Sequence, residues 1–234
     1  MGPLFCYNLC GGDPMILALG IFAPEVKPII DQMHVIESGE ILGRSYSRGV
    51  IGNNEVVACS GFVGKVETAF VTQKLIDFFQ PRLALLLSGA AALDKSLNPG
   101  DLVIGTEFEE YDTFFPLSQD KMSIKAPDNL VMRFLKIYFK DGKFGKIISG
   151  DGVVYSAEER DRIASSHRAL ALDMDSAAFA KMAHENNQSF VVIKTILDMA
   201  DENTQRDFDR NFPIFCGKPA RLMVELMKTH YIDR

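Results

Sequence analysis

An α/β fold, with helices on both faces of a largely parallel or mixed sheet, is what this sequence predicts. Three features carry the prediction: short unbroken apolar runs that end at glycine or small residues, stretches of helical spacing between them, and a steady alternation of the two. The 234 residues suffice for one sizeable core, and 47% hydrophobic against 24% charged residues is an ordinary balance for a folded chain. Residues 15–234 are therefore read as one domain. Residues 1–14 lack the basic start and apolar stretch of a secretion signal and are read as an extension outside the core.

Residues 15–20 are apolar up to a glycine, the pattern of a strand buried on both faces. Val26, Ile29, Ile30 and Met33 follow at helical spacing, with Pro24 early enough to be tolerated. Residues 45–50 and 55–59 flank Gly52-Asn53-Asn54 and read as a hairpin. A glycine loop, residues 61–64, leads into a helix over 67–79. A buried strand over 83–87 runs into Ser88-Gly89-Ala90-Ala91-Ala92, where side chains are small enough for the backbone to approach a ligand. Further strands are expected over 102–106, 146–149, 170–174 and 190–196. Helices are expected over 128–139, 157–164, 176–185 and 219–230, the second opened by Ser156 with Glu159 as a capping box.

Composition excludes several classes. A net charge of −6 with scattered Lys and Arg leaves no footprint for nucleic acid or an anionic membrane. The longest apolar runs fall short of the ~20 residues that a membrane span needs. Cys6, Cys10, Cys59 and Cys216 form no CxxC pair and stand near no histidine at ligand spacing, so no metal site is expected, and free thiols in a reducing cytoplasm are. No nucleophile elbow, P-loop or zinc-protease motif occurs, and Gly61-x-x-Gly64 lacks the third glycine of a dinucleotide fingerprint. The four histidines fall in helical or polar surface contexts, and none is read as a base or ligand.

In such folds ligands bind at the carboxyl edge of the strands. The loops there hold Glu25, Gly89 and Ala90, Val153, Asp173 with Asp175, and Asp198, so carboxylates predominate.

Gly20 with Glu25-Val26, Gly61-x-x-Gly64-Lys65-Val66, the small-residue turn at 88–92, Pro99-Gly100-Asp101, Ser149-Gly150-Asp151, Leu172-Asp173-Met174-Asp175-Ser176-Ala177 and Leu197-Asp198-Met199-Ala200-Asp201 follow one another in a specific order. In that order and spacing the chain resembles the methylthioadenosine/S-adenosylhomocysteine nucleosidases of the nucleoside phosphorylase superfamily, over nearly its whole length from Met15. The resemblance implies a three-layer α/β/α domain, a cytoplasmic homodimer, no cofactor, and hydrolysis of a purine nucleoside across the sheet's carboxyl edge.

On that resemblance Asp198 matches the general acid that protonates the departing purine, and Glu25 the residue that orients or deprotonates the attacking water. The plain alternatives are a capping residue for Asp198 and an exposed first-turn glutamate for Glu25. Asp175 with Met174 matches the segment that holds the ribose hydroxyls, against a helix-cap alternative. Met174 and Val153 would line sugar and base or be ordinary core. Phe22, Phe114, Phe115 and Phe208 suggest an apolar pocket for the 5′ substituent. Lys194 supports Glu25 or is an edge charge.

The chain departs from the family at five points. Asp175 stands where Glu is usual, Lys194 where Arg is common, Leu197 replaces a small polar residue, and Gly89 replaces a Ser. Residues 111–115 replace a loop that often carries His-Asp. Futalosine hydrolysis and a non-catalytic nucleoside-binding module are the other readings. Phosphorolysis needs basic groups for a phosphate dianion. The first loop carries Glu25 instead, although Arg44 or Arg48 could reach in from the hairpin.

Overall fold

The structure, a computed structural model, describes residues 15–113, 123–229 and 232. From β1 (Met15–Leu19) the chain enters α1 (Ala23–Gln32) and three antiparallel strands, β2 (His34–Ile41), β3 (Arg44–Ile51) and β4 (Asn54–Cys59). It continues through α2 (Lys65–Phe79), β5 (Leu83–Ala92), β6 (Leu102–Glu110), β7 (Ser123–Lys125), α3 (Leu130–Tyr138), β8 (Lys143–Ser149) and α4 (Ala157–His167). It ends through β9 (Ala171–Asp173), α5 (Ser176–Glu185), β10 (Phe190–Asp198), α6 (Thr204–Phe215) and α7 (Lys218–Lys228).

The alternation within the apolar runs builds two core layers. Ile16 and Ala18 of β1, Leu83, Leu85 and Leu87 of β5, and Val191 and Ile193 of β10 pack with α1, α3 and α7. Leu17 and Leu19, Ala84 and Leu86, and Phe190 and Val192 point the other way, toward α2 and α5. Successive strand residues face opposite sides, so strands apolar throughout are what a sheet covered on both faces requires. The expected three-layer α/β/α arrangement is the one observed.

All strands join one ten-stranded sheet. Parallel runs β4-β1-β5-β10 and β6-β8-β9 meet antiparallel at two seams, β10 with β6 and β5 with β9. These seams close β5, β10, β6, β8 and β9 into a ring, from which β1, β4, β3 and β2 extend as a wing. The sheet is thus mixed, and "largely parallel" describes its central runs and not its margins.

Two described elements escape apolar periodicity for physical reasons. Every residue of β2 except Ile41 is exposed, and β2 pairs only with β3, so no alternation marks it. The buried residues of α6 are Thr204, Asp207 and Asn211, and Pro213 lies inside it, so an apolar scan finds no stripe. The wing turn is as expected: Gly52 takes φ +59°, and a Cβ there would sit 2.7 Å from the Met227 carbonyl. Residues 1–14, with Cys6 and Cys10, lie outside the described residues, as do Phe114, Phe115 and His230. Cys59 and Cys216 are free and buried.

Asn54 ties wing to body. Its Nδ2 donates to the carbonyls of Ile51 (3.4 Å) and Met227 (3.3 Å), and its Oδ1 accepts from Arg82 (2.8 Å). Removing a buried amide strands its partners. Asn54→Ala is expected to lower the free energy of urea unfolding by about 1–3 kcal/mol; a variant as stable as the parent would show that the tie contributes nothing.

Candidate active site

Where β1, β5, β9 and β10 end, a cavity of about 280 Å³ opens. Glu25, Gly89, Ala90, Val153, Asp173, Met174, Asp175, Asp198 and Phe208 all line it. The structure therefore brings these expected residues together, while Lys194 lies behind the wall and Phe114 and Phe115 lie outside the described residues. Among the described residues the charged side chains lining the cavity are all carboxylates.

Glu25 sits in the first turn of α1 but is only 1% exposed, which excludes the exposed-glutamate alternative. Its Oε2 accepts from the N–H groups of Ile21 (2.7 Å) and Phe22 (2.8 Å), and its Oε1 accepts from Gly89 N–H (2.8 Å). The carboxylate thus folds back onto its own helix start and reaches across to β5. Burial pushes the Glu25 carboxyl up to about 7, against the opposing pull of those N–H groups and of Lys194.

Lys194 projects from β10 with no solvent exposure. Its Nζ lies 2.6 Å from Asp175 Oδ2 and 2.8 Å from Asp173 Oδ2, and it also donates to the Ser88 hydroxyl. It is neither an edge charge nor a direct partner of Glu25, which it influences only through space. Burial alone would lower its affinity for a proton, but the two aspartates overrule this and hold it firmly protonated.

The two aspartates have separate tasks. Asp173 Oδ1 accepts from Ser149 Oγ (2.5 Å) and the N–H groups of Asp175 and Ser176 (both 3.1 Å), and Oδ2 meets the Ser176 hydroxyl and Lys194. Every lone pair is engaged, so Asp173, while lining the cavity, ties down the start of α5 and positions its neighbours. Burial would raise its pKa, yet Lys194 and the two serines hold it below the usual carboxylate range. Asp175 makes no side-chain cap bond, so the cap alternative fails for it. Its Oδ2 is held by Lys194 and by Ser88 (3.3 Å), and its Oδ1 meets only the Met174 N–H at 3.3 Å. Burial and the Asp173 charge raise its pKa to about 6.

Asp198 ends β10 and is 6% exposed. Its Oδ1 accepts from Ala200 N–H (2.9 Å) and from Thr204 Oγ1 (3.2 Å). That bond shapes a turn in which Ala200 adopts φ +49°, and α6 starts only at Thr204, so Asp198 is not a helix cap. Its Oδ2 has no hydrogen-bond partner among the described residues. Burial raises its pKa, and its hydrogen bonds offset this only in part.

Phe208 stacks on Phe212 (centroids 5.1 Å apart) and meets Phe22 edge-on at 6.5 Å. Val153 is 49% exposed and Met174 partly exposed, so neither is ordinary core. The loop carrying Val153 is latched by Asp151, whose Oδ1 accepts from Lys65 N–H (3.0 Å) and whose N–H donates to Asp112 (2.8 Å). Arg44 and Arg48 do not reach the cavity; Arg44 binds Gly61 O and Glu67, and Arg48 pairs with Glu37 and Glu55. His167 is not a surface residue, since its Nδ1 lies 2.7 Å from buried Glu109. Sequence reasoning missed Ser88 as a bridge, Leu197 as a wall, and Thr204 and Gln205 on α6. Ser88 was readable as the one hydroxyl in a small-residue turn; Thr204 belongs to a helix without an apolar stripe.

Comparison with known proteins fits this geometry. The model of the phosphorylase superfamily matches residues 15–228. A 5′-methylthioadenosine/S-adenosylhomocysteine nucleosidase of Thermotoga maritima is 37% identical over 214 residues, covering 92% of this chain and 98% of its own. The nucleosidase of the same name from Helicobacter pylori, solved with an aminopyrrolopyrimidine ligand, is 26% identical with a TM-score of 0.82, covering 95% of this chain and 99% of its own. A futalosine hydrolase of Helicobacter pylori is 25% identical with a TM-score of 0.80, covering 94% of this chain and 97% of its own.

The pKa of Glu25 carries a stability consequence. A carboxyl raised in the folded state favours folding while protonated, and the gain is lost as pH climbs from its unfolded value through the folded value of about 7. Glu25→Gln removes that titration. Its stability relative to the parent is expected to improve by up to roughly 3 kcal/mol between pH 4.5 and 8, read from urea unfolding at each pH; a pH-independent difference would mean that Glu25 is an ordinary carboxylate.

Proposed function

The chain belongs to the phosphorylase superfamily and, within it, to the methylthioadenosine/S-adenosylhomocysteine nucleosidases, and from that premise we propose how its cavity works. The enzyme hydrolyses the N-glycosidic bond of a purine nucleoside, with 5′-methylthioadenosine and S-adenosylhomocysteine as substrates and adenine as the released base. The observation that carries this is the meeting of Glu25, Asp175 and Asp198 in one cavity, each shifted toward protonation by burial.

Each acid has its own part. Asp198, whose hold on a proton burial strengthens, directs Oδ2 at the purine and supplies the proton that a departing base needs. Asp175 Oδ1, turned away from Lys194, accepts from a ribose hydroxyl beside Met174 and faces the positive charge that develops on the sugar. Glu25, near neutrality, draws a proton from water as it attacks the anomeric carbon. The Phe22, Phe208 and Phe212 rings offer the 5′ substituent an apolar wall.

Hydrolysis is favoured over phosphorolysis for a positive reason. The N–H groups of Ile21, Phe22 and Gly89 would suit an anion at a helix start, and Glu25 already occupies all three. A phosphate dianion would have to displace a carboxylate or sit against it. Retention of a water-activating carboxylate likewise favours an enzyme over a binding module. The likeness to a futalosine hydrolase makes futalosine the second substrate to assay.

The enzyme works as a cytoplasmic homodimer. Val63, Val66 and Phe70 are exposed at and beside the start of α2, next to the cavity, and pairing of subunits would bury such a patch. Free thiols suit a reducing compartment, and no helix among the described residues is long and apolar enough to cross a membrane.

Adenine release from methylthioadenosine is expected without phosphate, and Asp198→Asn should slow it by about 10²–10⁴-fold. Phosphate dependence would point to a phosphorylase instead. In the pH profile of kcat/KM, activity should rise as Glu25 ionises near 7. A profile flat through this range would remove the assignment of Glu25.

A further inference from the structure

Gly89 and Leu197 face each other beside Glu25 in an arrangement that the reaction scheme leaves unused. A Cβ placed on Gly89 would lie 2.2 Å from Leu197 Cδ1 and 3.1 Å from its Cγ, and 3.7 Å from Glu25 Oε1. The Leu197 side chain therefore fills the space that any other residue at 89 would claim, and that space borders the carboxylate. Leu197 is only 2% exposed, although it contributes to the cavity wall.

The backbone holds Leu197 at this spot. β10 pairs with β5 through Ile196↔Ala90 and then Asp198↔Ala91, so the register slips and Leu197 is left as the extra residue of a bulge. Its carbonyl accepts from Asn211 Nδ2 of α6 at 2.7 Å, and the N–H and carbonyl of the preceding Ile196 are bonded to Asp101 and Gly100. With the main chain pinned on both sides, a larger residue at 89 is accommodated by turning the leucine side chain toward the cavity.

We propose that Leu197 is a positioning residue for Glu25, one that shields the carboxylate from water and fits only opposite glycine at 89, so that the two positions act as a unit. The proposal rests on the reading of Glu25 as the group that activates water. The other groups facing Glu25 are Lys194 of β10, Asp175 at the start of α5, the Cys216 thiol between α6 and α7, and the N–H donors of Ile21, Phe22 and Gly89. Lys194 is committed to Asp173 and Asp175. Trimming Leu197 admits water beside Oε1 without altering any of these charges, so the Glu25 carboxyl then titrates at lower pH.

The test is a titration of the Glu25 carboxyl by carbon-13 NMR in ligand-free protein, assigned by comparison with Glu25→Gln. Leu197→Ala should move the midpoint down by about 1 pH unit or more and move the acidic limb of kcat/KM with it. Gly89→Ala, which drives Leu197 into the cavity, should raise KM at least about tenfold, and adding Leu197→Ala should restore most of the loss. An unmoved midpoint in Leu197→Ala, or a Gly89→Ala enzyme with parental kinetics, would overturn the proposal. Should Leu197→Ala not fold, Leu197→Val is expected to give a smaller shift of the same sign, and no shift overturns the proposal equally. The NMR midpoint is independent of turnover. An active Glu25→Gln would therefore remove the assignment of Glu25 while leaving the shielding by Leu197 to be judged on its own.

Discussion

Lys194 carries a charge in the middle of a strand with no access to water, and an unpaired ammonium there would cost several kcal/mol. Its partners come from three other places in the chain: Asp173 from the end of β9, Asp175 from the start of α5, and Ser88 from β5. Satisfying one ammonium group therefore fixes β5, β9 and β10 relative to one another. β5 and β9 meet at one of the two seams that close the ring, and the active-site cavity sits at the ends of all three strands. The same contact that makes the buried charge tolerable brings the functional carboxylates together.

From that centre the four buried acids diverge in character. Asp173 is saturated with donors and stays ionised, whereas Asp175 shares the same lysine but feels the charge of Asp173 and is pushed upward. Glu25 has three N–H donors yet is so buried that desolvation prevails, and Asp198 has only two donors, both on one oxygen. Environments that push like groups apart allow carboxyls of one cavity to act as acid, base and ligand at one pH. Asp173 illustrates the limit of reading function from residue type. It lines the cavity beside its catalytic neighbours, but with no acceptor left it can only hold them in place.

Sequence patterns reveal the fold wherever burial is apolar. The runs of β1, β5 and β10 and the capped start of α4 were legible because their periodicity matches the faces they bury. α6 was not, since it turns Thr204, Asp207 and Asn211 inward, and β2 was not, since it buries almost nothing. The ring was not legible either, because closure depends on pairing between strands far apart in sequence and not on any one strand's composition. Within the site, order and spacing marked Glu25, Asp175 and Asp198. The meaning of Ser88, Gly89 and Leu197 required coordinates: a hydroxyl bridging Lys194 and Asp175, and a leucine filling the space opposite a glycine, are relations between distant positions.

The position of Glu25 also bears on how one superfamily can serve two reactions. A helix start with several free N–H groups attracts anions, and in this chain the anion is built in. Glu25 closes on Ile21, Phe22 and Gly89, so a carboxyl of the chain itself already occupies the donors that a mobile anion would otherwise use. A carboxylate so placed repels phosphate and, when ionised, can take a proton from water. On the mechanism proposed above, exclusion of phosphate and activation of water both trace to the same three hydrogen bonds.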